Sequence, residues 1–439
     1  MNSQSVNAES AKSLERSYVN GIFSSATNGL TQEYFTPFVL LLGATTQQVG
    51  FLNALPNLFS SLVQFKSADL ADKLSSRKKT IGIFISLQTF VLLTMFLMAL
   101  FNVANPWTVI LCVIFFSTCG SLANPAWGSL LSDLVHQNKR GEYFGWRSRN
   151  LGLVIVAFTF LAGMILHGME KINTLYGFVI IFALAFLCRL LSLNYLRGMY
   201  EPPLEYNQEN HFTFFDFIRR LKESNFAKFV IFVSLMNFSV HLAAPYFAVF
   251  MLKDLSFSYL LYSVINIMAA LTVYLSIRRW GKHADRVGNL KIIKVTAPLI
   301  GIIPLFWIIN RNPLFLLIVQ AFAGFVWAGF NLCCTNFIYD AARPEKRARC
   351  IAYFNLLNGL AICLGALLGG FLVKYLPVFL GYKILTLFFL SSVLRVSAAL
   401  FFSKMLKEVR PIEAISGHKL FFSMVGMNPI GGTLKKNVR

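Results

Sequence analysis

The chain has 439 residues, is 56% hydrophobic and only 13% charged, and has a mean hydropathy of +0.61. Soluble domains carry roughly 25% charged residues, so this chain has too few to cover a water-facing surface. The net charge of +21 does not indicate nucleic acid, because Lys and Arg are spread over alternate loops instead of gathering on one face.

A bilayer core of about 30 Å takes about 20 apolar residues per helix. Runs of that kind are predicted over 17–42, 46–65, 80–101, 107–131, 143–168, 175–197, 225–251, 256–278, 291–309, 313–337, 351–374 and 380–402. Met1–Ser10 is polar without a cleavable signal pattern, so the first span is expected to act as its own insertion signal. That span contains Glu33 within Asn28-Gly29-Leu30-Thr31-Gln32-Glu33-Tyr34. A carboxyl at such depth costs a few kcal/mol unless it is paired, protonated or beside water. Glu33 is therefore a candidate proton-coupling site, with a structural carboxyl bonded to Tyr or Asn as the competing reading.

A polar break after the second span holds Ala71-Asp72-Lys73 and Arg77. The fourth span carries Asn124 and Trp127 and leads into Asp133 with Lys139-Arg140; the fifth carries Arg147 and Asn150, and the sixth Arg189. A central loop over 198–224 follows, in which Phe212–Leu221 reads as a short amphipathic surface helix. The seventh span places Asn237 one turn before His241. After the eighth comes Ala284-Asp285-Arg286, after the tenth (with Trp327 and Asn331) Asp340 with Lys346-Arg347, and within the twelfth Arg395. The second half thus repeats the punctuation of the first, which describes two parallel six-span bundles and suits a protein that moves a solute between them. The tail over 403–439 is basic, and its apolar stretch Leu420–Val425 is too short to cross a bilayer.

Basic residues concentrate in the loops after even-numbered spans, so both termini and the central loop are expected in the cytoplasm. The seven cysteines form no metal-spaced cluster and read as packing thiols. No Gly-x4-Gly-Lys-Ser/Thr occurs, so direct ATP drive is not expected; nor is any metal or other cofactor.

The segment Ala68-Asp69-Leu70-Ala71-Asp72-Lys73-Leu74-Ser75-Ser76-Arg77-Lys78 resembles the loop signature of the major facilitator superfamily, Gly-x3-Asp-Arg/Lys-x-Gly-x-Arg/Lys-Arg/Lys, with Ala68 and Ser75 replacing its two glycines. A second copy, Gly281-x3-Asp285-Arg286-x-Gly288-x-Leu290-Lys291, keeps both glycines but has Leu290 where a basic residue belongs. The resemblance implies an all-α membrane protein. Its twelve transmembrane helices would form two pseudo-symmetric six-helix bundles, over 17–197 and 225–402, rocking in alternating access. Asp72 and Asp285 could each cap a helix N-terminus in the other half, near Cys350 and near Tyr143. With Lys73, Arg77 and Arg286 they are the expected cytoplasmic gate; solvated topogenic residues are the bland alternative.

The expected solute or proton site comprises Glu33, Gln32, Asn28, Asn124, Trp127, Asn150, Asn237, His241, Asn331 and Trp327. Asn53, Asn57, Gln88, Asn266, Asn355 and Asn358 also lie within spans, and buried amides must find partners in the bundle interior. Amides and indoles suit a neutral or amphiphilic organic solute, and equally suit helix–helix bonding. Arg189 and Arg395 lie near the cytoplasmic ends of their spans and read as snorkelling structural residues. They join Asp133, Arg140, Arg147, Asp340 and Arg347 in an expected charge network. The expected function is proton-coupled secondary transport of a small organic solute by a monomer in a bacterial inner membrane. A facilitative uniporter or exporter of the same fold is the alternative. A membrane-embedded transferase lacks the clustered Asp, His or Arg it would need, and a scaffold lacks extramembrane domains.

Overall fold

The structure, a computed structural model, describes residues 3–64, 76–135, 140–202, 225–341, 347–403 and 405–408. Its helices follow the apolar runs. The first span is Ser3–Thr31 resumed by Phe35–Leu41, and the second is Thr46–Gln64. Arg77–Leu100, Pro106–Leu134, Arg140–Met169 and Thr174–Arg197 complete the first half. The seventh span is Asn225–His241, continued by Tyr246–Val249 and a π-turn, Phe250–Asp254. Tyr259–Val287, Asn289–Ile309, Pro313–Ala341, Arg347–Tyr375 and Lys383–Ser403 complete the second half. Asp72, Lys73, the 212–221 segment and the tail from 409 lie outside the described residues, as do the side chains of Arg140 and Arg347.

Local chemistry fixes the ends. Asn105 caps the fourth span in a reciprocal box with Thr108, and Asn173 and Ser258 cap the sixth and eighth. The eighth helix runs to Val287, through most of the polar break expected over 278–291. Gly281 is carried within the helix, which ends at Gly288, whose φ of +85° lies in the left-handed region.

The first and seventh spans are interrupted at matching places, and proline explains both. Pro37 has no N–H to offer the carbonyl of Glu33 four residues earlier, and its ring crowds that carbonyl; Pro245 stands in the same relation to His241. Turns replace helix at Gln32–Tyr34 and at Leu242–Pro245. The freed carbonyl of Glu33 accepts a hydrogen bond from the Tyr262 hydroxyl at 2.9 Å, from the other half.

Within each half the helices pack as a bundle, and the halves meet where the second span lies against the eleventh and the fifth against the eighth. Ten helices are long and apolar enough to cross a membrane by composition alone. The first and second spans fall short, diluted by residues such as Asn20 and Asn28, or Gln47, Gln48, Asn53 and Asn57. The twelve expected spans are thus present but not equally apolar. The two polar ones owe their place to the interior of the bundle.

Candidate functional site

Side chains at helical spacing place polar groups on shared faces. Ser24, Asn28 and Gln32 on the first span face Asn57, Ser61 and Gln64 on the second, and Ser117, Ser121 and Asn124 on the fourth. Gln88, Arg189, Asn355 and Asn358 close the ring from the third, sixth and eleventh spans, around a cavity of about 470 Å³. A cavity of about 170 Å³ shares Gln32, Asn57 and Ser117 with it. Another of about 210 Å³ shares Ser24, Asn124 and Arg189 and adds Asn20, Trp127 and Arg147.

Many of these groups are anchored by their own helices or by each other. Asn57 Nδ2 donates to Asn53 O at 2.8 Å and Ser61 Oγ to Asn57 O at 2.7 Å. Asn237 Nδ2 donates to Asn358 Oδ1 at 2.7 Å, and Asn355 Nδ2 reaches Gln64 Oε1 across the halves at 3.2 Å. Gln88 Nε2 is held by Phe116 O at 2.7 Å, which turns its amide oxygen toward Arg189. Arg189 donates from Nη1 to Ser24 Oγ at 2.7 Å and from Nη2 to Gln88 Oε1. Arg147 lies 5.8 Å from the centre of the Trp127 ring.

The expected site residues divide accordingly. Asn28, Gln32 and Asn124 line the main cavity, Trp127 the adjoining one, and Asn237 stands behind Asn358. Glu33, His241, Asn150, Trp327 and Asn331 are not among the lining residues of the main cavity. Glu33 is exposed in the break of the first span, Asn331 is exposed, and Trp327 packs edge-on against Phe330 at 5.7 Å. The expected snorkelling of Arg189 toward loop carboxylates is not what the geometry shows. Its face of the sixth span is covered by the first and third spans, which turns the side chain into the cavity. The serines Ser24, Ser117 and Ser121 were missed, although the helical spacings Ser24–Asn28, Ser117–Ser121 and Ser121–Asn124 put them on the faces of the expected amides.

Charged residues at the face bearing the basic loops form a separate scaffold. Arg77 is 2% exposed and pairs with Asp133, while its N–H donates to Glu201 Oε1 at 2.6 Å. Ser76 Oγ donates to the same carboxylate at 2.6 Å, so Glu201 caps the third span. In the second half, Asn289 Nδ2 donates to Asp340 Oδ2 at 2.8 Å, and Leu290 N to Glu408 Oε2 at 2.7 Å. The partners of Arg77 thus lie within its own half, whereas Asp285 and Arg286 are exposed on the last turn of the eighth span. Arg395 is not in a carboxylate network either. Its Nε donates to Ser391 Oγ at 3.0 Å, Nη2 to Val240 O at 3.1 Å and Nη1 to Ile300 O at 3.4 Å.

The opposite face is locked across the halves. Lys253 Nζ donates to Ala44 O at 2.8 Å, Tyr259 N to Glu170 Oε1 at 2.8 Å, and Tyr34 and Ser263 hydroxyls lie 2.6 Å apart. Gly50 and Gly370 let the second and eleventh spans close around Tyr246, since an added Cβ would lie 2.8 or 2.7 Å from its hydroxyl.

Comparisons with known proteins match this arrangement. The chain resembles an uncharacterised MFS-type transporter of Methanocaldococcus jannaschii, 27% identical over 175 residues, a stretch that is 38% of this chain and spans less than half, 43%, of that relative. Its fold superposes on the crystal structure of a single-site mutant of the nucleoside transporter NupG with a TM-score of 0.72 at 15% identity, over 90% of this chain and 100% of that one. A bacterial homologue of the human lysosomal transporter Spinster, in an inward-facing and unoccupied conformation, gives 0.62 at 15% identity, over 92% and 97%. A bacterial homologue of the iron transporter ferroportin, also inward-facing, gives 0.62 at 14% identity, over 92% and 99%. The family model of the Major Facilitator Superfamily matches residues 19–310 and 229–435. An all-helical pair of six-span bundles around a polar cavity, matched by that model along nearly the whole chain, identifies the protein as a membrane transporter of the major facilitator superfamily.

Proposed function

We propose that the chain carries a small polar organic solute by alternating access, with the cavity around Asn28, Gln88 and Asn124 as its binding site. The observation that carries this reading is the asymmetry of the cavity. It reaches Gln64 at the basic end of the second span, while cross-half hydrogen bonds from Lys253, Tyr259 and Tyr262 seal the opposite face. With the basic loops and both termini in the cytoplasm, this is an inward-facing state in the inner membrane of a bacterium. The moving bodies are the bundles over 17–197 and 225–402, joined by the loop over 198–224, in a protein that works as a monomer.

Proton coupling is assigned to Glu33. It sits in the break of the first span, its carbonyl bonded to Tyr262, with Tyr34 and Tyr262 the titratable groups within its electrostatic reach. A proton gained there changes charge at the point where the halves lock. In proteoliposomes, Glu33→Gln should retain exchange between equally loaded compartments and lose pH-driven accumulation. Accumulation retained by a well-folded Glu33→Gln protein would overturn the coupling role. One observation favours uncoupled facilitated diffusion as a second reading: neither Glu33 nor His241 lines the main cavity.

A further inference from the structure

The cavity is unbalanced in charge. Among the described residues of its lining, Arg189 is the charged one, set among neutral amides and hydroxyls, with no Asp or Glu. The adjoining cavity adds Arg147 and, among the described residues, no carboxylate. Arg189 is only 7% exposed, its Nη partners Ser24 and Gln88 are neutral, and its Nε has no hydrogen-bond partner. Arg147 Nε is likewise without one. The ion pairs among the described residues engage Arg77 and His167 instead.

A guanidinium enclosed in a membrane bundle without a counter-charge is costly, so such residues mark ligand paths more often than packing. The equivalent Arg395 shows how the same fold treats an arginine that only packs: acceptors meet all three of its nitrogens. Arg189, its Nε buried and unpaired, stands in the wall of a cavity large enough for a ligand. The planar fork of a guanidinium matches carboxylate and phosphate oxygens.

We propose that Arg189, seconded by Arg147, is an anion-recognition subsite, and that the solute is a small organic molecule bearing a carboxylate or phosphate group. This rests on the reading of the cavity as the solute path, and it departs from the neutral solute that the amides and indoles suggest. The charged group sits at Arg189, and the neutral part extends along Asn28, Asn124 and the serines. Gln88 and Ser24 act as positioning residues that hold the guanidinium in place.

Skeleton-matched probes test the idea on the purified full-length protein: succinate and succinamide, glucose 6-phosphate and glucose, uridine monophosphate and uridine, with inorganic phosphate alone. In thermal-shift titrations the anionic member of at least one pair should stabilise the protein and its neutral partner should not. Arg189→Gln should weaken that binding roughly tenfold or more, and Arg189→Lys less. Ser24→Asp, which sets a carboxylate against Nη1 without emptying the core, should also abolish it. Equal stabilisation by neutral partners, unchanged binding in Arg189→Gln, response to inorganic phosphate only, or silence across all pairs each overturns the inference. Cysteine labelling of Asn124→Cys from either side of the membrane separates this from the parent reading. Labelling from both sides without anion selectivity leaves a transporter with a neutral solute, whereas labelling from one side only removes alternating access itself.

Discussion

Arg189 and Arg395 hold equivalent places in the two halves, yet their surroundings differ. Arg395 is wrapped by two backbone carbonyls and Ser391, and it ties the twelfth span to the seventh and ninth. Arg189 has two neutral side-chain partners and faces open space. The same residue stands twice in the repeat, and its neighbours differ. A second pair makes the same point in reverse. Arg77 anchors the third span to Asp133 and Glu201, while at its counterpart Leu290 the backbone N–H meets Glu408 and the neighbouring Asn289 meets Asp340. Among the described residues, the ion-paired arginine at the basic end thus belongs to the first half, and the more fully bonded interior arginine to the second.

The largest effect should come from Arg395→Ala. Losing a packed side chain and the bonds it donates should cost about 2–4 kcal/mol in thermal or denaturant unfolding. Arg189→Ala should cost about 1 kcal/mol or less, because it also removes an uncompensated charge. Equal losses would mean that the two arginines play one role.

Next is Arg77→Ala. Asp133 is 42% exposed, so the orphaned acids are partly screened and the loss should be about 2–3 kcal/mol, below that of a fully buried pair. Asn289→Ala, which removes one neutral donor to Asp340, should cost about 1 kcal/mol. A larger effect at Asn289 would reverse the ranking of the two scaffolds.

At the sealed face, Tyr262→Phe leaves the Glu33 carbonyl without its donor and should favour opening by about 1–2 kcal/mol. Tyr246→Phe breaks a bond to Ala366 within one half and should not shift the opening. Electron–electron distance measurements between spin labels at the outer ends of the halves would separate them. An unchanged distribution in Tyr262→Phe would show that this bond is not part of the seal.

The smallest effect is expected for Asp285→Asn. Asp285 is exposed; on the gating reading its carboxylate acts only when the basic face closes, where a helix-terminus charge contributes up to about 1 kcal/mol. The same label pairs placed at the basic ends should report a modest inward shift. No shift in Asp285→Asn or in Asp72→Asn would leave both as topogenic residues.

Much of the fold was legible because hydrophobic length and loop charge are one-dimensional signals. The twelve spans and the repeat of Asp133 and Arg189 as Asp340 and Arg395 could be read directly. Pro37 and Pro245 were equally visible, and each stands four residues after an ionisable residue, Glu33 and His241. The cavity was half legible. Asn28, Gln32 and Asn124 announced themselves as amides in hydrocarbon, while Ser24 and Ser121 are too small to stand out. The direction of Arg189 was hidden because depth along a span is written in the sequence and the face it occupies is not. The eighth helix overran its expected end because charged residues such as Arg279 and Lys282 are good helix formers in water, so the helix continues past the apolar run.

The polarity of Thr46–Gln64 reaches beyond the folded state. A segment with so many amides gains little by entering lipid alone, since each centrally placed polar residue opposes insertion. During synthesis this helix must be retained until a hairpin partner arrives, and it is stable in the bilayer only once the fourth and eleventh helices shelter it. Biogenesis of this transporter is therefore cooperative at its start, and substitutions that make the second helix more apolar should ease its insertion while removing the amides its cavity depends on.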